Sequence, residues 1–198
     1  MLYAVQVMEN TATRIAETAL RILEREGPEA VSMRRVAEAV GITPMAIYHH
    51  FPNRKALLTS ITDQEFSRLL AYMKAHRLRG NGTRRFIGVM EGYIDYALAR
   101  PRLFDYVFAQ ARPGARRFPG DFRARRSPTL NMVADEVAAA MQNGFLKKDD
   151  VWEVAFALWA HVHGYVVVYR AGRIDLSEKQ FRTLVRRSLR RFLDGLRS

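Results

Sequence analysis

The sequence predicts an all-α protein of about nine or ten helices. A compact N-terminal unit holds a helix-turn-helix, and a larger helical remainder follows. Three observations predict this. Apolar residues recur at i, i+3, i+4 and i+7 between breakers, as in Met33, Val36, Ala37 and Val40, which is one face of a helix. Several of these stretches open on Ser, Thr, Asn or Asp and close on Gly or before Pro, the chemistry of helix caps. No convincing strand pattern appears, because the β-branched run Val166-Val167-Val168 continues a helical period.

In chain order, a first helix is expected from near Asn10 to about Glu26, with Ile15, Ala19, Ile22 and Leu23 as its stripe and Gly27-Pro28 as its stop. Ser32 then caps a second helix, which leaves through Gly41 in a left-handed conformation. Thr43 caps a third, with Pro44 at its first position, where a missing N–H costs nothing. Phe51-Pro52 keeps that helix short, and Ile47 is its main buried residue. Pro44, Met45, Ala46, Tyr48 and His49 are left outside. A stop at Gly41 and a restart at Thr43 make a helix-turn-helix, whose second helix is the usual major-groove reader.

From Asn53 a fourth helix should reach about His76, and residues 77–82 make a break. A fifth fits 83–100 and a short aromatic helix fits 102–110. Residues 111–126, rich in Pro, Gly and Arg, are the longest irregular stretch, and another helix fits 128–143. Asp149 or Asp150 caps a helix over 151–170 that is apolar over most of its surface and is expected to be buried on more than one side. Ser177 caps the last, with Phe181, Leu184, Val185, Leu189, Phe192, Leu193 and Leu196 as its apolar set.

At the helix-turn-helix the chain resembles the TetR family of transcriptional regulators. The resemblance rests on the Gly41 turn, the Thr43 cap, Tyr48-His49, Phe51-Pro52, and Lys55 followed by Ala56-Leu57-Leu58. It implies a DNA-binding domain over 1–55 and a ligand-binding and dimerisation domain over 56–198. Two chains would pair through the two C-terminal helices and hold their reading helices at the spacing of a palindromic, double-stranded operator. A small, largely apolar effector would release a repressor from that operator. An activator or a ligand-independent regulator would share the same sequence features.

The resemblance also implies roles for single residues. Tyr48 and Lys55 would contact phosphate, and His49 a phosphate or base edge. Thr43 would meet phosphate at the positive end of its helix, and Ser32 is a further phosphate contact. Base reading falls to Pro44, Met45 and Ala46, with Arg34 or Arg35 reaching in from the side. Here the chain departs from the family pattern, since Pro44 and Met45 stand where a polar residue and a glycine are common. Neither can read a base by hydrogen bonding, so contact with thymine methyls is the chemistry they offer.

The net charge is +12, which points to a polyanionic partner, yet its distribution matters more. Residues 1–55 hold seven Lys/Arg against six Glu. The excess lies at 100–126, with eight Arg against two Asp, and at 173–198, with eight Lys/Arg against three acids. The chain has no cysteine, which excludes disulfides and thiolate metal sites and fits a reducing compartment. No apolar run approaches a membrane span, and residues 1–8 are too short for a signal peptide, so a cytoplasmic protein without a membrane partner is expected. The alternative for 179–196 is a cationic amphipathic helix on a membrane surface.

Met90, Tyr93, Tyr96, Phe104, Phe108, Trp152, Phe156, Trp159 and His163 are the residues expected to line the effector site. Taken singly, each is equally a core residue. Catalysis finds no support. His161 and His163 are two apart on a helix and cannot chelate as an i, i+4 pair would. There is no nucleophile elbow, phosphate loop or acid–base carboxylate pair, and no cofactor is expected.

Overall fold

The computed structural model describes residues 2–77, 82–108 and 114–197, with side chains from Thr11 onward. The described residues form ten α-helices and no strand: α1 (Leu2–Glu26), α2 (Met33–Val40), α3 (Pro44–His50), α4 (Arg54–Ala75), α5 (Thr83–Ala99), α6 (Pro101–Phe108), α7 (Gly120–Arg123), α8 (Pro128–Gln142), α9 (Val151–Arg170) and α10 (Glu178–Gly195). They divide into two compact units. One comprises Met1–Phe66 with Arg100–Gly114, the other Ser67–Ala99 with Ala115–Ser198.

In the first unit Ile15, Ala19 and Leu23 of α1 are buried with Val36 and Ala37 of α2, Ile47 of α3, Leu57 and Ile61 of α4, and Leu103 and Phe104 of α6. Arginines fasten the chain around this core. Arg14 donates to the Val40 carbonyl at 3.0 Å, satisfying an orphan acceptor at the end of α2. Arg54 donates to the carbonyls of Val31 (2.7 Å) and Pro28, which ties the start of α4 to the turn before α2. Arg100 is shared between Glu24 of α1 and Glu65 of α4, at 3.3 Å from each, and the Glu65 side chain is wholly buried.

In the second unit α8 and α9 pack together, and α5 and α10 pack on α9. Gly92 allows α5 to lie against the backbone of α4: a Cβ there would stand 2.6 Å from Met73 Cα. Buried carboxylates again hold arginines from distant elements. Glu136 on α8, 5% exposed, takes Arg77 at 2.7 Å and Arg85 at 2.8 Å. Glu91 on α5 takes Arg182 (3.0 Å) and Arg186 (2.6 Å) of α10, and Arg182 also meets Asp95.

Several expectations need revision. Helix α1 begins at Leu2 rather than near Asn10, since nothing in between breaks a helix. A 3-10 turn at Pro28–Ala30 and the single turn α7 lie in stretches expected to be irregular. The break at 77–82 and the 111–126 loop fall partly outside the described residues. Helix α9 buries one stripe, Val154, Ala155, Leu158, Val162 and Val166, and leaves Ala157, Ala160, Gly164, Val167 and Val168 exposed. It was expected to be covered on more than one side. It is also long and apolar enough to cross a membrane, by length and composition alone. A search for uninterrupted apolar runs overlooks it, because Glu153 and the two histidines break the run without lowering the average far. Its packing on α8, α5 and α10 accounts for the buried stripe alone.

Candidate nucleic-acid interface

Helices α2 and α3 are short, so their caps matter. Ser32 Oγ accepts from the Arg35 N–H at 3.2 Å, and Thr43 Oγ1 accepts from the Ala46 N–H at 3.1 Å. Each cap is worth about 1 kcal/mol. Each also leaves its hydroxyl hydrogen free to donate outward, so capping and a phosphate contact are compatible. Gly41 stands at φ 78°, ψ 35°, the left-handed conformation that turns the chain from α2 into α3. Asn53 Oδ1 accepts from the Ala56 N–H at 2.8 Å and so opens α4.

On α3 only Ile47 is fully buried. Thr43, Pro44, Met45, Tyr48 and His49 are exposed and Ala46 is half-buried. Met45 is 71% exposed and Tyr48 48%. Ser32, Arg34 and Lys55 are exposed as well, and neither Arg34 nor Lys55 has an ion-pair partner among the described residues. Arg35 differs: both its terminal guanidinium nitrogens, Nη1 and Nη2, donate to Glu26 at the end of α1. That contact holds the Glu26 carboxyl below its ordinary pKa and occupies the side chain that shared with Arg34 the expected reach toward bases. The nine residues expected at the interface thus all belong to α2, α3, the turns that flank them and the first turn of α4, within the first unit.

The expected effector residues divide between the units. Phe104 and Phe108 belong to the first, where their rings lie 5.1 Å apart and Phe108 meets Phe66 edge-on at 5.8 Å. The others belong to the second. Met90, Tyr93 and Tyr96 are buried on α5, and Trp152, Phe156, Trp159 and His163 are half-buried along α9. Tyr93 Oη and His163 Nδ1 are hydrogen-bonded at 2.8 Å, and Trp159 stacks on His163 with centroids 5.0 Å apart. Burial pushes the Tyr93 hydroxyl well above the usual phenol range. Sequence reasoning missed Phe118 and Phe122, which lean on Phe156 at 4.6 and 5.9 Å. They lie in a Pro/Gly/Arg-rich stretch with no helical period to mark them. Among the described residues no three His, Asp or Glu side chains gather to hold a metal ion.

Burial also pulls His161 and His163 below the ordinary imidazole pKa of 6.5. As pH falls through that value the unfolded chain takes up protons first, so stability is retained above it and declines below. The urea midpoint should be lower at about pH 5.5 than at about pH 7.5, with a smaller drop in His163→Gln. Equal drops in both proteins would remove His163 from the linkage.

Two family profiles match the chain. Residues 15–61 match one described as "Bacterial regulatory proteins, tetR family", and residues 86–192 match "Tetracyclin repressor-like, C-terminal domain". The HTH-type transcriptional repressor KstR of Mycobacterium tuberculosis is 32% identical over 181 residues, covering 84% of this chain and 75% of the relative. Among solved structures, a Rhodococcus sp. RHA1 protein of unknown function superposes with a TM-score of 0.81 at 23% identity, covering 95% of this chain and 96% of that one. A putative tetR family transcription regulator from Shewanella sp. PV-4 gives 0.72 at 14% identity, covering 94% and 97%. At these identities the two structures share the fold.

Proposed function

Because this chain belongs to the TetR family of bacterial regulatory proteins, whose members are DNA-binding transcription regulators rather than enzymes, we propose that it is a cytoplasmic repressor that binds a palindromic operator as a homodimer and is released by a small, largely apolar effector. DNA binding is assigned to residues 1–55 and effector binding with dimerisation to 56–198. The observation that carries the reading is the surface of α3. Its one fully buried residue is Ile47, while Thr43, Pro44, Met45, Tyr48 and His49 are exposed, as are Arg34 and Lys55, which have no ion-pair partner among the described residues. Phosphate contacts fall to Lys55, the Tyr48 hydroxyl, Thr43 and Ser32, His49 meets phosphate or a base edge, and base reading falls to Pro44, Met45 and Ala46 with Arg34 reaching in from the side.

Dimerisation is assigned to α9 and α10. The exposed face of α9, Ala157, Ala160, Gly164, Val167 and Val168, consists of small or apolar side chains that permit close approach of a second helix. Pairing there would cover what the single chain leaves in water and would fix two copies of α3 one DNA turn, or a multiple of it, apart. The effector is assigned to the aromatic residues of the second unit, with the Tyr93–His163 hydrogen bond as its polar feature. Phe104 and Phe108 are left to the core of the first unit. Release follows if the effector favours a dimer whose reading helices no longer match the half-sites, by no more than its differential affinity for that state. The repressor role is supported by the similarity to KstR.

Phosphate contacts can be tested singly. Lys55→Ala should weaken binding to every duplex alike and reduce the slope of log affinity against log salt by about one per chain. Tyr48→Phe should weaken binding with the slope unchanged, because it removes a neutral hydroxyl. Anisotropy titration at several salt concentrations checks both, and unaltered affinity in both variants would move the phosphate contacts elsewhere.

A further inference from the structure

His76 directly follows the last residue of α4, and both its ring nitrogens face acceptors. Nδ1 lies 3.0 Å from the Tyr72 carbonyl oxygen in the final turn of that helix. The same oxygen takes the His76 backbone N–H at 3.3 Å, and a carbonyl has lone pairs for both. Nε2 lies 2.7 Å from Asp95 Oδ2 on α5. A neutral imidazole has one N–H and would turn a lone pair toward one of these two oxygens. The imidazolium has two N–H groups and meets both. The geometry suits the charged ring, and a cation at a helix C-terminus also complements the helix dipole.

The surrounding charges favour the same form. Asp95 divides its carboxylate, with Oδ2 toward His76 and Oδ1 toward Arg182 of α10 at 2.6 Å. Arg182 also meets Glu178 at 2.8 Å and Glu91 at 3.0 Å, and Glu91 takes Arg186 at 2.6 Å. With His76 charged, three cations alternate with three carboxylates across α4, α5 and α10. With His76 neutral, one carboxylate is in excess. The remaining titratable groups near the ring are turned elsewhere. The Tyr72 ring meets Tyr96, Lys74 is exposed, and Arg77 is held by Glu136 of α8. All of these residues belong to the second unit.

We propose that His76 is a proton-dependent clamp, which fastens the end of α4 to α5 and α10 while its ring is charged and releases it when the ring gives up a proton. Imidazole is the side chain that ordinarily changes charge near neutral pH. The His76 side chain is 39% exposed, so protons reach it without unfolding. The clamp is present in mild acid and lost as pH rises. Its sign is opposite to that of His161 and His163, whose neutral forms are favoured by burial.

Hydrogen exchange of the full-length chain, read by mass spectrometry, tests the clamp. Parent and His76→Gln are compared at the same pH, so the intrinsic pH dependence of exchange cancels, as do the contributions of the other histidines. Glutamine keeps a hydrogen-bonding side chain but cannot take up a charge. At about pH 6, peptides covering the last turns of α4 should exchange about threefold faster in the variant, the scale of a part-exposed ion pair at a helix end. At about pH 8 the two proteins should exchange at similar rates. The same comparison in an Asp95→Asn background should lose its pH dependence, since the carboxylate that the charged ring meets is gone. Arg182 keeps Glu91 and Glu178 in that background, so the tie between α5 and α10 remains. An effect of His76→Gln that is equal at both pH values, or larger at the higher one, overturns the clamp. So does a pH-dependent effect that persists with Asp95→Asn.

Discussion

Arg100→Met is expected to lower the unfolding free energy by about 3–5 kcal/mol, the usual cost of removing one member of a buried ion pair. The reason is Glu65, whose side chain is wholly buried on α4 and lies 3.3 Å from Arg100. The Arg100 side chain is itself only 15% exposed, and its other partner, Glu24 on α1, is 41% exposed. Taking the cation away leaves Glu24 able to turn to water. Glu65 cannot turn to water and loses the Arg100 cation in a medium that solvates carboxylates poorly. The double variant Arg100→Met/Glu65→Gln should recover a large part of the loss, since no buried charge then remains unbalanced. Urea unfolding checks this through the midpoint, with the slope unchanged. A double variant no more stable than Arg100→Met would mean that lost packing of the arginine stem carries the effect.

Gly92→Ala is the second large effect, and it acts through backbone rather than charge. An added Cβ would stand 2.6 Å from Met73 Cα and closer still to the Tyr72 carbonyl. Both neighbours are main chain, so neither can move aside as a flexible side chain would. Helix α5 must back away from the last turns of α4, which opens gaps around Tyr72 and Tyr96, whose rings meet edge-on at 6.0 Å. Overpacking of this kind costs about 1–3 kcal/mol and sometimes more. Thermal unfolding should show it plainly. Gly120→Ala is the control: a Cβ at Gly120 meets nothing within 4 Å, and alanine is the better helix former. A Gly92 variant as stable as that control would mean that α5 and α4 are not held at this distance.

The helix-turn-helix was legible because its determinants are local. Ser32, Thr43 and Asn53 each cap a helix three residues from the amide they accept, and Gly41 announces its left-handed turn. The arginine pairings were not legible, because their partners lie far apart in sequence. Arg77 and Arg85 meet Glu136 from 59 and 51 residues away, and Arg186 meets Glu91 from 95. Charge counting therefore described 100–126 as a basic excess. In the structure Arg100, Arg123, Arg125 and Arg126 are paired with carboxylates. At the interface, composition could not separate Arg34 from Arg35; the nearness of Glu26 at the end of α1 does. The covered and bare faces of α9 were equally hidden, since both are apolar and only packing distinguishes them.

Selection from random duplex DNA, followed by a count of chains bound to the recovered duplex, tests sequence-specific binding by a dimer most directly. The expected winner is an inverted repeat whose half-sites lie one DNA turn or a multiple apart, bound by two chains, with affinity falling steeply as salt rises. Recovery of no preferred sequence, or of a single half-site held by one chain, would contradict it.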